Sequence, residues 1–264
     1  MYYLASIEGL SKREYALLET ASDAGWNVIA TTVEMSFSSP QQVALDDEGE
    51  QQLAIRIDNH LADRAYAVEP ITEFLGAERP ELLKRPRVMV GMSAGAIALP
   101  TVAARVGPLD AAVLIGGGQS VAEIMLTSPL FRQHTTLVER NMDAGERDDV
   151  ESHPVVDRER REEFAERVFA RCKLDPANTA AALSKTPVLM LQANYDKIVP
   201  ARTGNALFES IGQPERWTYN TGHIGLCALL NWKVASILEW LEENATTTEE
   251  NERQSPSQSR SRAT

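Results

Sequence analysis

The residues best suited to chemistry lie in the segment 88–96, where a short apolar run leads into Gly91, Ser93 and Gly95. This G-x-S-x-G pattern is a weak signal alone, because a small residue at any tight turn would fit it. Here a predicted strand precedes it and a predicted helix follows it. A serine on such a sharp turn has strained backbone angles, so its neighbours two positions away must be nearly free of side chain. The segment therefore predicts an exposed Ser93 hydroxyl at a helix N-terminus, which favours a developing anion.

A serine hydroxyl needs a base, because it is a poor nucleophile near neutral pH. Among the four histidines, His223 is the one that follows a plausible acid at a strand end, in the predicted loop before the last helix. That acid is Asp196, which comes shortly after the apolar run 188–192. The chain order Ser93, Asp196, His223 is the order of a known serine triad.

Other interpretations of these residues stay open. Asp196 could cap the helix that begins near Pro200, and Glu215 is a second choice of acid. The remaining histidines are predicted to have no catalytic role: one lies in a predicted helix and two lie in a charged segment, namely His60, His134 and His153.

Short apolar runs alternate with helical patterns along most of the chain. Six runs predict strands, at residues 2–7, 27–33, 87–92, 111–115, 188–192 and 216–219. Helical patterns lie between and after them, at residues 12–24, 59–74, 94–105 and 224–242. This alternation favours an α/β fold with a doubly wound, mostly parallel sheet of about six strands and helices on both faces.

Two segments interrupt that alternation. Residues 119–185 are dense in charge and predict helices laid over the sheet, as a helical cap insertion in a core formed by residues 1–118 and 186–243. The polar stretch 36–52 predicts a loop. Residues 244–264 contain no large aliphatic side chain and predict a disordered tail.

The charge balance argues against a nucleic-acid partner. The chain is 43% hydrophobic and 24% charged, which is typical of a globular protein, and its formal net charge is −12. A chain this acidic repels a phosphate backbone unless its basic residues form a patch, and the sequence shows no such stretch.

The cysteine and hydropathy patterns argue against a metal site and a membrane span. Cys172 and Cys227 form no C-x-x-C pair and lack histidines at ligand spacing, so we expect two reduced structural thiols. The first residues lack the basic and apolar regions of a signal peptide. The uncharged run 88–104 is short for a bilayer and is interrupted by Gly and Pro. We therefore expect a cytoplasmic protein.

The layout of motifs and elements resembles that of the α/β-hydrolases, in particular their esterase, lipase and dienelactone-hydrolase branches. The resemblance extends over nearly all of the chain before the tail. It implies Ser93 as nucleophile, His223 as general base and Asp196 as the acid that orients the histidine. It also implies an oxyanion hole formed by the backbone N–H groups of Ala94 and Leu10, and a reaction that needs no cofactor.

Two features depart from that family. The resemblance finds no counterpart of that family's first two strands before residue 2, which would either leave residues 27–33 as an exposed sheet edge through which two copies could form a homodimer, or mean that the true start of the protein lies upstream. Glu8 stands where relatives carry His, Pro or a small residue, and an inward carboxylate there would oppose formation of an oxyanion.

Five further residues are predicted to line a substrate pocket: Met92, Gly118, Met125, Leu126 and Phe131. The run 116–118 consists of three glycines that do not match a phosphate-binding pattern, which favours close backbone packing beside the pocket. The apolar residues within 125–131 could equally form the core of the insertion.

The sequence therefore predicts a serine hydrolase that cleaves an ester or related acyl bond of a small molecule through an acyl-enzyme intermediate. Two alternatives remain. The protein could be an inactive hydrolase-like binding or scaffold protein, or a peptidase or thioesterase with the same fold, because one fold hosts many reactions.

Overall fold

The computed structural model describes residues 1–7, 9–32, 41–132, 134–139 and 156–245. Within these ranges the chain forms the strands β1 (Tyr2–Leu4), β2 (Ile29–Thr31), β3 (Gln41–Ala44), β4 (Val88–Met92), β5 (Ala111–Ile115), β6 (Thr135–Val138), β7 (Val188–Ala193) and β8 (Glu215–Tyr219). The helices are α1 (Lys12–Asp23), α2 (Asp47–Glu78), α3 (Ala94–Val106), α4 (Val121–Thr127), α5 (Arg158–Phe169), α6 (Pro176–Thr179), α7 (Ala201–Ile211) and α8 (His223–Asn244).

Six strands form one sheet in the order β2–β1–β4–β5–β7–β8, and every neighbouring pair is parallel. This confirms the predicted fold class. Because parallel strands end on the same side, the loops that follow them meet along one rim of the sheet, which we call the carboxyl edge. The opposite rim, where the strands begin, is the amino edge.

The four inner strands, β1, β4, β5 and β7, are buried on both faces because helices cover both, whereas the edge strands β2 and β8 are partly exposed. Successive residues of β4 show this: Met89 packs in the core beneath α2 and α3, whereas Val90 packs in the core beneath α1 and α8. Such strands have near-continuous apolar sequences rather than an alternating pattern. The doubly wound arrangement therefore follows directly from the apolar runs in the sequence.

The predicted loop at 36–52 is wrong for its described part, residues 41–52. The structure has β3 there, followed by the first turns of α2, which begins twelve residues earlier than predicted. The Asp46 carboxylate accepts a hydrogen bond from the Gly49 N–H, which caps the helix. Glu50 is buried and pairs with Arg167 and Arg171 of the distant helix α5 and its C-terminal turn.

The charged segment contains the helices α4, α5 and α6, as predicted, and also a strand that the sequence did not indicate. β6 pairs in parallel with β3 to form a separate two-stranded sheet. The helices α4 and α5 pack against each other and against α2, and α6 packs against α3. The division into core and cap stays a prediction.

Several element boundaries differ from the predicted ones. β1 and β2 are shorter than the runs 2–7 and 27–33, and β2 lies at one edge of the sheet. The homodimer through that edge stays a prediction. α8 begins at His223, so this residue opens the helix rather than lying in the loop before it. Residues 246–264 of the predicted tail lie outside the described residues.

Candidate active site

Ser93 lies on the sharp turn between β4 and α3, in a backbone conformation that few non-glycine residues adopt. Its φ is 52° and its ψ is −114°. A Cβ at Gly95 would lie 2.0 Å from the Leu4 carbonyl oxygen, and one at Gly91 would lie 2.6 Å from the Gly95 carbonyl oxygen. Both glycines are therefore required by close backbone approach, as the motif predicts. Backbone strain like that of Ser93 concentrates at functional sites.

The structure brings Ser93, His223 and Asp196 together at the carboxyl edge. The Ser93 Oγ lies 3.0 Å from the His223 Nε2, and the His223 Nδ1 lies 2.6 Å from the Asp196 Oδ2. The three residues are only 8%, 6% and 8% exposed, respectively. When the Nδ1–H group donates a hydrogen bond to the carboxylate, Nε2 carries no proton and can accept that of the serine.

Asp196 is itself held in place by backbone groups. Its Oδ1 accepts hydrogen bonds from the N–H groups of Ile198 and Val199, each at 2.9 Å, which leaves Oδ2 for the histidine. The carboxylate thus closes a turn rather than capping α7, whose N-cap is Pro200. Burial of the carboxylate is compensated by hydrogen bonds on both oxygens.

The alternative acid, Glu215, lies elsewhere. Its carboxylate accepts hydrogen bonds from the indole N–H groups of Trp217 and Trp240. On the other side of the histidine, a Cβ at Gly116 would lie 3.1 Å from the ring carbon Cε1 of His223. Gly116, with φ +64°, therefore lets the backbone after β5 approach the imidazole closely.

The described residues of the loop after β1, 5–7 and 9–11, which we call the oxyanion loop, lie beside the Ser93 turn, and Glu8 lies outside the described residues. Leu4, at the end of β1, pairs with Gly91 of β4, so the two turns leave adjacent strands at the same edge. Gly9 has φ +78° and its N–H donates to the Ser6 carbonyl. Leu10 follows this turn. Ala94 opens α3, and first-turn N–H groups have no partner within a helix.

Known structures of the same architecture match nearly the whole chain. Est1E from Butyrivibrio proteoclasticus matches with a TM-score of 0.55 and 14% identity, over 92% of this chain and 86% of that one. The esterase Pf2001 of Pyrococcus furiosus matches with a TM-score of 0.54 and 13% identity, over 93% and 82%. MGS-MChE2, an α/β hydrolase enzyme from a lagoon-sediment metagenome, matches with a TM-score of 0.51 and 12% identity, over 92% and 90%.

The chain has the α/β-hydrolase fold. No family model matches the sequence. A curated relative, the uncharacterized protein YdjC of Bacillus subtilis, is 35% identical over 52 residues, which are 20% of this chain and 45% of that protein. The aligned part of the chain therefore spans less than half the length of that relative.

Within the hydrolase fold, the five predicted pocket residues do not share one surface. Met92 packs in the core beneath α1 and α8, whereas Met125 and Leu126 are buried on the opposite face of the sheet, with Phe131 packed against that core. Gly118 fits closely at the carboxyl edge, because a Cβ there would lie 2.4 Å from the Thr203 Oγ1. Lining of a substrate pocket by these residues stays a prediction.

Two of the cavities in the described part of the chain lie away from Ser93. One of about 540 Å³ lies at the amino edge, far from Ser93, and its lining includes Asn27, Arg85 and Asp110. The other, of about 360 Å³, lies between α4, α5 and α7, and its lining includes Glu123 and Arg202. Neither of these two cavities includes a residue of the hydrogen-bonded chain.

Two residues that hold the oxyanion loop, Glu14 and Arg64, have recognisable sequence patterns. Ser11 and Glu14 match the S-x-x-E capping pattern, and they form that capping box at the start of α1. A second signal was a charged residue within the apolar stripe of α2, where Arg64 follows Ile57 and Leu61 and is 2% exposed. A buried arginine at such a position indicates a specific polar partner.

The cysteines and acidic residues of the described ranges form no group of three or more that could hold a metal ion. Cys172 is buried and Cys227 is half-buried, and both are free. Burial raises the pKa of the Cys172 thiol to about 12 and that of the Cys227 thiol to about 11. Both thiols are therefore protonated near neutral pH and are poor nucleophiles.

By length and composition alone, one described helix could cross a membrane. This is α8, whose most apolar window has a mean hydropathy of 1.4 and is 44% buried. Leu226, Leu230 and Val234 of α8 pack against the sheet, and His223 at its start contacts Ser93. The expected absence of a membrane span stays a prediction.

Proposed function

We propose that this protein is a serine hydrolase that cleaves an ester or related acyl bond of a small molecule. The observation that carries the proposal is the buried hydrogen-bonded chain from the Ser93 Oγ through His223 to Asp196, with the serine on a strained turn. The esterase named among the structural matches supports the same class of reaction. The fold alone would not, because it hosts many reactions.

In the proposed reaction, the His223 Nε2 takes the proton of the Ser93 hydroxyl as the Ser93 Oγ attacks the carbonyl carbon. Asp196 holds the imidazole with Nδ1 as donor and stabilises the imidazolium that forms. The tetrahedral oxyanion accepts hydrogen bonds from the N–H groups of Ala94 and Leu10, and each such donor is worth roughly 10²–10³ in rate.

Collapse of that intermediate expels the alcohol, which takes its proton from His223, and leaves an acyl group on the Ser93 Oγ. Water then attacks the ester carbonyl carbon of the acyl-enzyme while His223 accepts a proton from this water. A second collapse breaks the bond to Ser93, returns the proton to the Ser93 Oγ and releases the carboxylic acid. All proton transfers use one imidazole, and the cycle consumes only substrate and water.

Hydrolysis of a panel of p-nitrophenyl esters, thioesters and short peptides tests the proposal. We expect turnover of an ester and a fall in kcat of about 10⁴-fold or more in Ser93→Ala, as loss of a nucleophile causes elsewhere. Ser120→Ala is a matched control, because Ser120 also has a positive φ before a helix at the same edge. Its activity should stay within about twofold of wild type.

Near-full esterase activity in Ser93→Ala would contradict the assignment of the nucleophile. Turnover of thioesters or peptides but not esters would replace the proposed substrate class with one of its alternatives. A folded wild-type protein that hydrolyses none of these compounds, and whose Ser93 does not react with a fluorophosphonate probe, would favour a binding role.

A further inference from the structure

Two buried charged side chains of opposite sign lie on either side of the oxyanion loop, and the proposed reaction assigns a role to neither. Glu14 of α1 is 0% exposed and Arg64 of α2 is 2% exposed. The first belongs to the helix on one face of the sheet, and the second to a helix on the other face. Charged side chains are almost never fully buried unless they are paired.

The Glu14 carboxylate accepts hydrogen bonds from residues near both ends of the oxyanion loop. Its oxygens accept hydrogen bonds from the Ser6 N–H at 2.9 Å, the Ser6 hydroxyl at 3.0 Å and the Ser11 N–H at 2.8 Å. The Tyr3 hydroxyl donates a fourth, at 3.1 Å. Because Leu10 lies between Ser6 and Ser11, these bonds fix the path of the backbone that carries its N–H.

Arg64 contacts the loop at its first residue. The Arg64 Nη1 donates to the Ala5 carbonyl at 2.8 Å, and its Nε donates to the His60 Nε2 at 3.4 Å. The same Ala5 carbonyl oxygen would lie 2.8 Å from a Cβ at Gly95, two residues after Ser93. The guanidinium group therefore reaches the loop at the carbonyl where the nucleophile turn packs against it.

The third nitrogen of Arg64, Nη2, is buried and has no hydrogen-bond partner among the residues that the structure describes. An unpaired buried donor costs free energy, so packing alone would favour an apolar residue at this position. Burial lowers the pKa of Arg64 to about 10, while Glu14 acts to raise it. Arg64 therefore remains a cation near neutral pH.

His60 does not supply a second positive charge. Burial, with a contribution from the Arg64 cation, lowers the pKa of His60 to about 4. The imidazole is therefore neutral at pH 7, and its Nε2 can accept the hydrogen bond from Arg64. Among the described residues at the Ala5 carbonyl, the buried positive charge is therefore that of Arg64, and this carbonyl packs against the Ser93 turn.

We infer that Arg64 is a positioning residue of the oxyanion hole: it fixes the Ala5 carbonyl and places a positive charge behind the oxyanion loop, with one N–H that has no partner among the described residues, while Glu14 holds the loop from the other side. This inference rests on the proposed hydrolase function and deepens it. A preorganised charge near a developing oxyanion stabilises the transition state more than the bound substrate. Arg64 should therefore act on kcat rather than on KM.

Steady-state hydrolysis by Arg64→Met, Arg64→Lys and Arg161→Met tests the inference. Arg161 is the matched control, because it also donates to a backbone carbonyl, that of Val156, and its buried Nη1 also lacks a partner within the described part of the chain, but it lies in α5. We expect kcat to fall about 10²-fold in Arg64→Met with KM within about twofold. Arg64→Lys should lower kcat about tenfold with KM unchanged, because it keeps the charge but not the fork of donors. Arg161→Met should stay within about twofold.

A boronic acid that forms a tetrahedral adduct on Ser93 provides the second readout. Its affinity for Arg64→Met should fall in parallel with kcat/KM, because it mimics the oxyanion, whereas a purely structural role would leave folded enzyme with unchanged affinity. Should Arg64→Met fail to fold, Arg64→Lys decides: lowered kcat with unchanged KM supports the inference, and wild-type kcat overturns it.

The two proposals fail in distinguishable ways. If the wild type hydrolyses esters but folded Arg64→Met keeps the wild-type kcat, or loses activity only through KM, the role of Arg64 is overturned and the hydrolase stands. An equal loss in Arg161→Met would also overturn it. If the wild type is inert and Ser93 is not labelled, the proposed function fails, and this inference fails with it.

Discussion

The two edges of the sheet differ in how they hold polar groups. At the carboxyl edge, Ser93, His223 and Asp196 are buried and hydrogen-bonded to one another. At the amino edge, the larger cavity of about 540 Å³ is lined by solvent-exposed residues such as Asn27 and Arg85. Burying polar groups costs free energy unless they are paired, so packing alone would not favour the arrangement at the carboxyl edge. The burial of hydrogen-bonded polar side chains therefore distinguishes the two edges better than cavity volume does.

The largest difference between the edges should appear when the acid of the proposed triad, Asp196, is neutralised. Asp196→Asn should lower kcat for an ester about 10⁴-fold, because the amide no longer holds the histidine in its productive tautomer. Arg85→Ala, in the amino-edge cavity, should stay within about twofold of wild type. Equal effects of the two variants on kcat would remove the distinction between the edges.

Glycine substitutions should show that the carboxyl edge is also the more tightly built. Gly95→Ala should lower the free energy of unfolding by about 3 kcal/mol, because its Cβ would meet the backbone of β1. Gly76→Ala is the control within a helix, since its nearest neighbour would lie at an ordinary 3.6 Å. It should stabilise the protein by about 0.5–1 kcal/mol. Urea unfolding measures both, and a Gly95→Ala protein as stable as wild type would contradict the close approach.

The buried histidine behind the oxyanion loop should make stability fall in mild acid. The pKa of His60 is lowered to about 4, from about 6.5 in an unfolded chain. The contribution of the neutral His60 to the free energy of unfolding is complete above about pH 6.5. It is lost as the pH falls towards 4, because in this range the imidazole takes up a proton in the unfolded chain but not in the folded one. At pH 5 this loss is about 2 kcal/mol.

His60→Gln should abolish that part of the pH dependence, since a glutamine side chain does not titrate in this range. Urea unfolding of wild type and variant at pH 7 and pH 5 measures the difference. An identical loss of stability in the two proteins would show that His60 is not buried as a neutral base.

The smallest effect is expected from the cysteines. Because both thiols have raised pKa values, iodoacetamide at pH 7 should leave the activity of the native protein unchanged. Alkylation should occur readily once the protein is unfolded in urea, which serves as the positive control. Rapid inactivation that follows modification of Cys227 would place a reactive thiol beside the proposed site.

The nucleophile turn could be predicted because its requirements are local. Two glycines, a serine, a preceding apolar run and a following helix all lie within 88–96. Asp196 and His223 followed from chain order and from the strand ends before them. Parallel strands bring such ends to one edge, so topology converts sequence order into proximity.

The elements that the sequence did not predict depend on contacts between distant segments. The start of α2 carries Glu50, whose partner Arg167 lies 117 positions away. The pairing of β3 with β6 joins residues about as far apart, and neither strand has a strong apolar pattern. Local propensity cannot reveal such elements, because tertiary contacts override it.

The central claim, that Ser93 is an activated nucleophile at the carboxyl edge, is tested most directly by covalent labelling. Folded protein is incubated with a fluorophosphonate probe, and the modified residue is located by mass spectrometry of its peptides. The account predicts one adduct on the Ser93 Oγ, absent from Ser93→Ala and strongly reduced in His223→Ala. Folded wild-type protein without an adduct, or with the adduct on another residue, would contradict it.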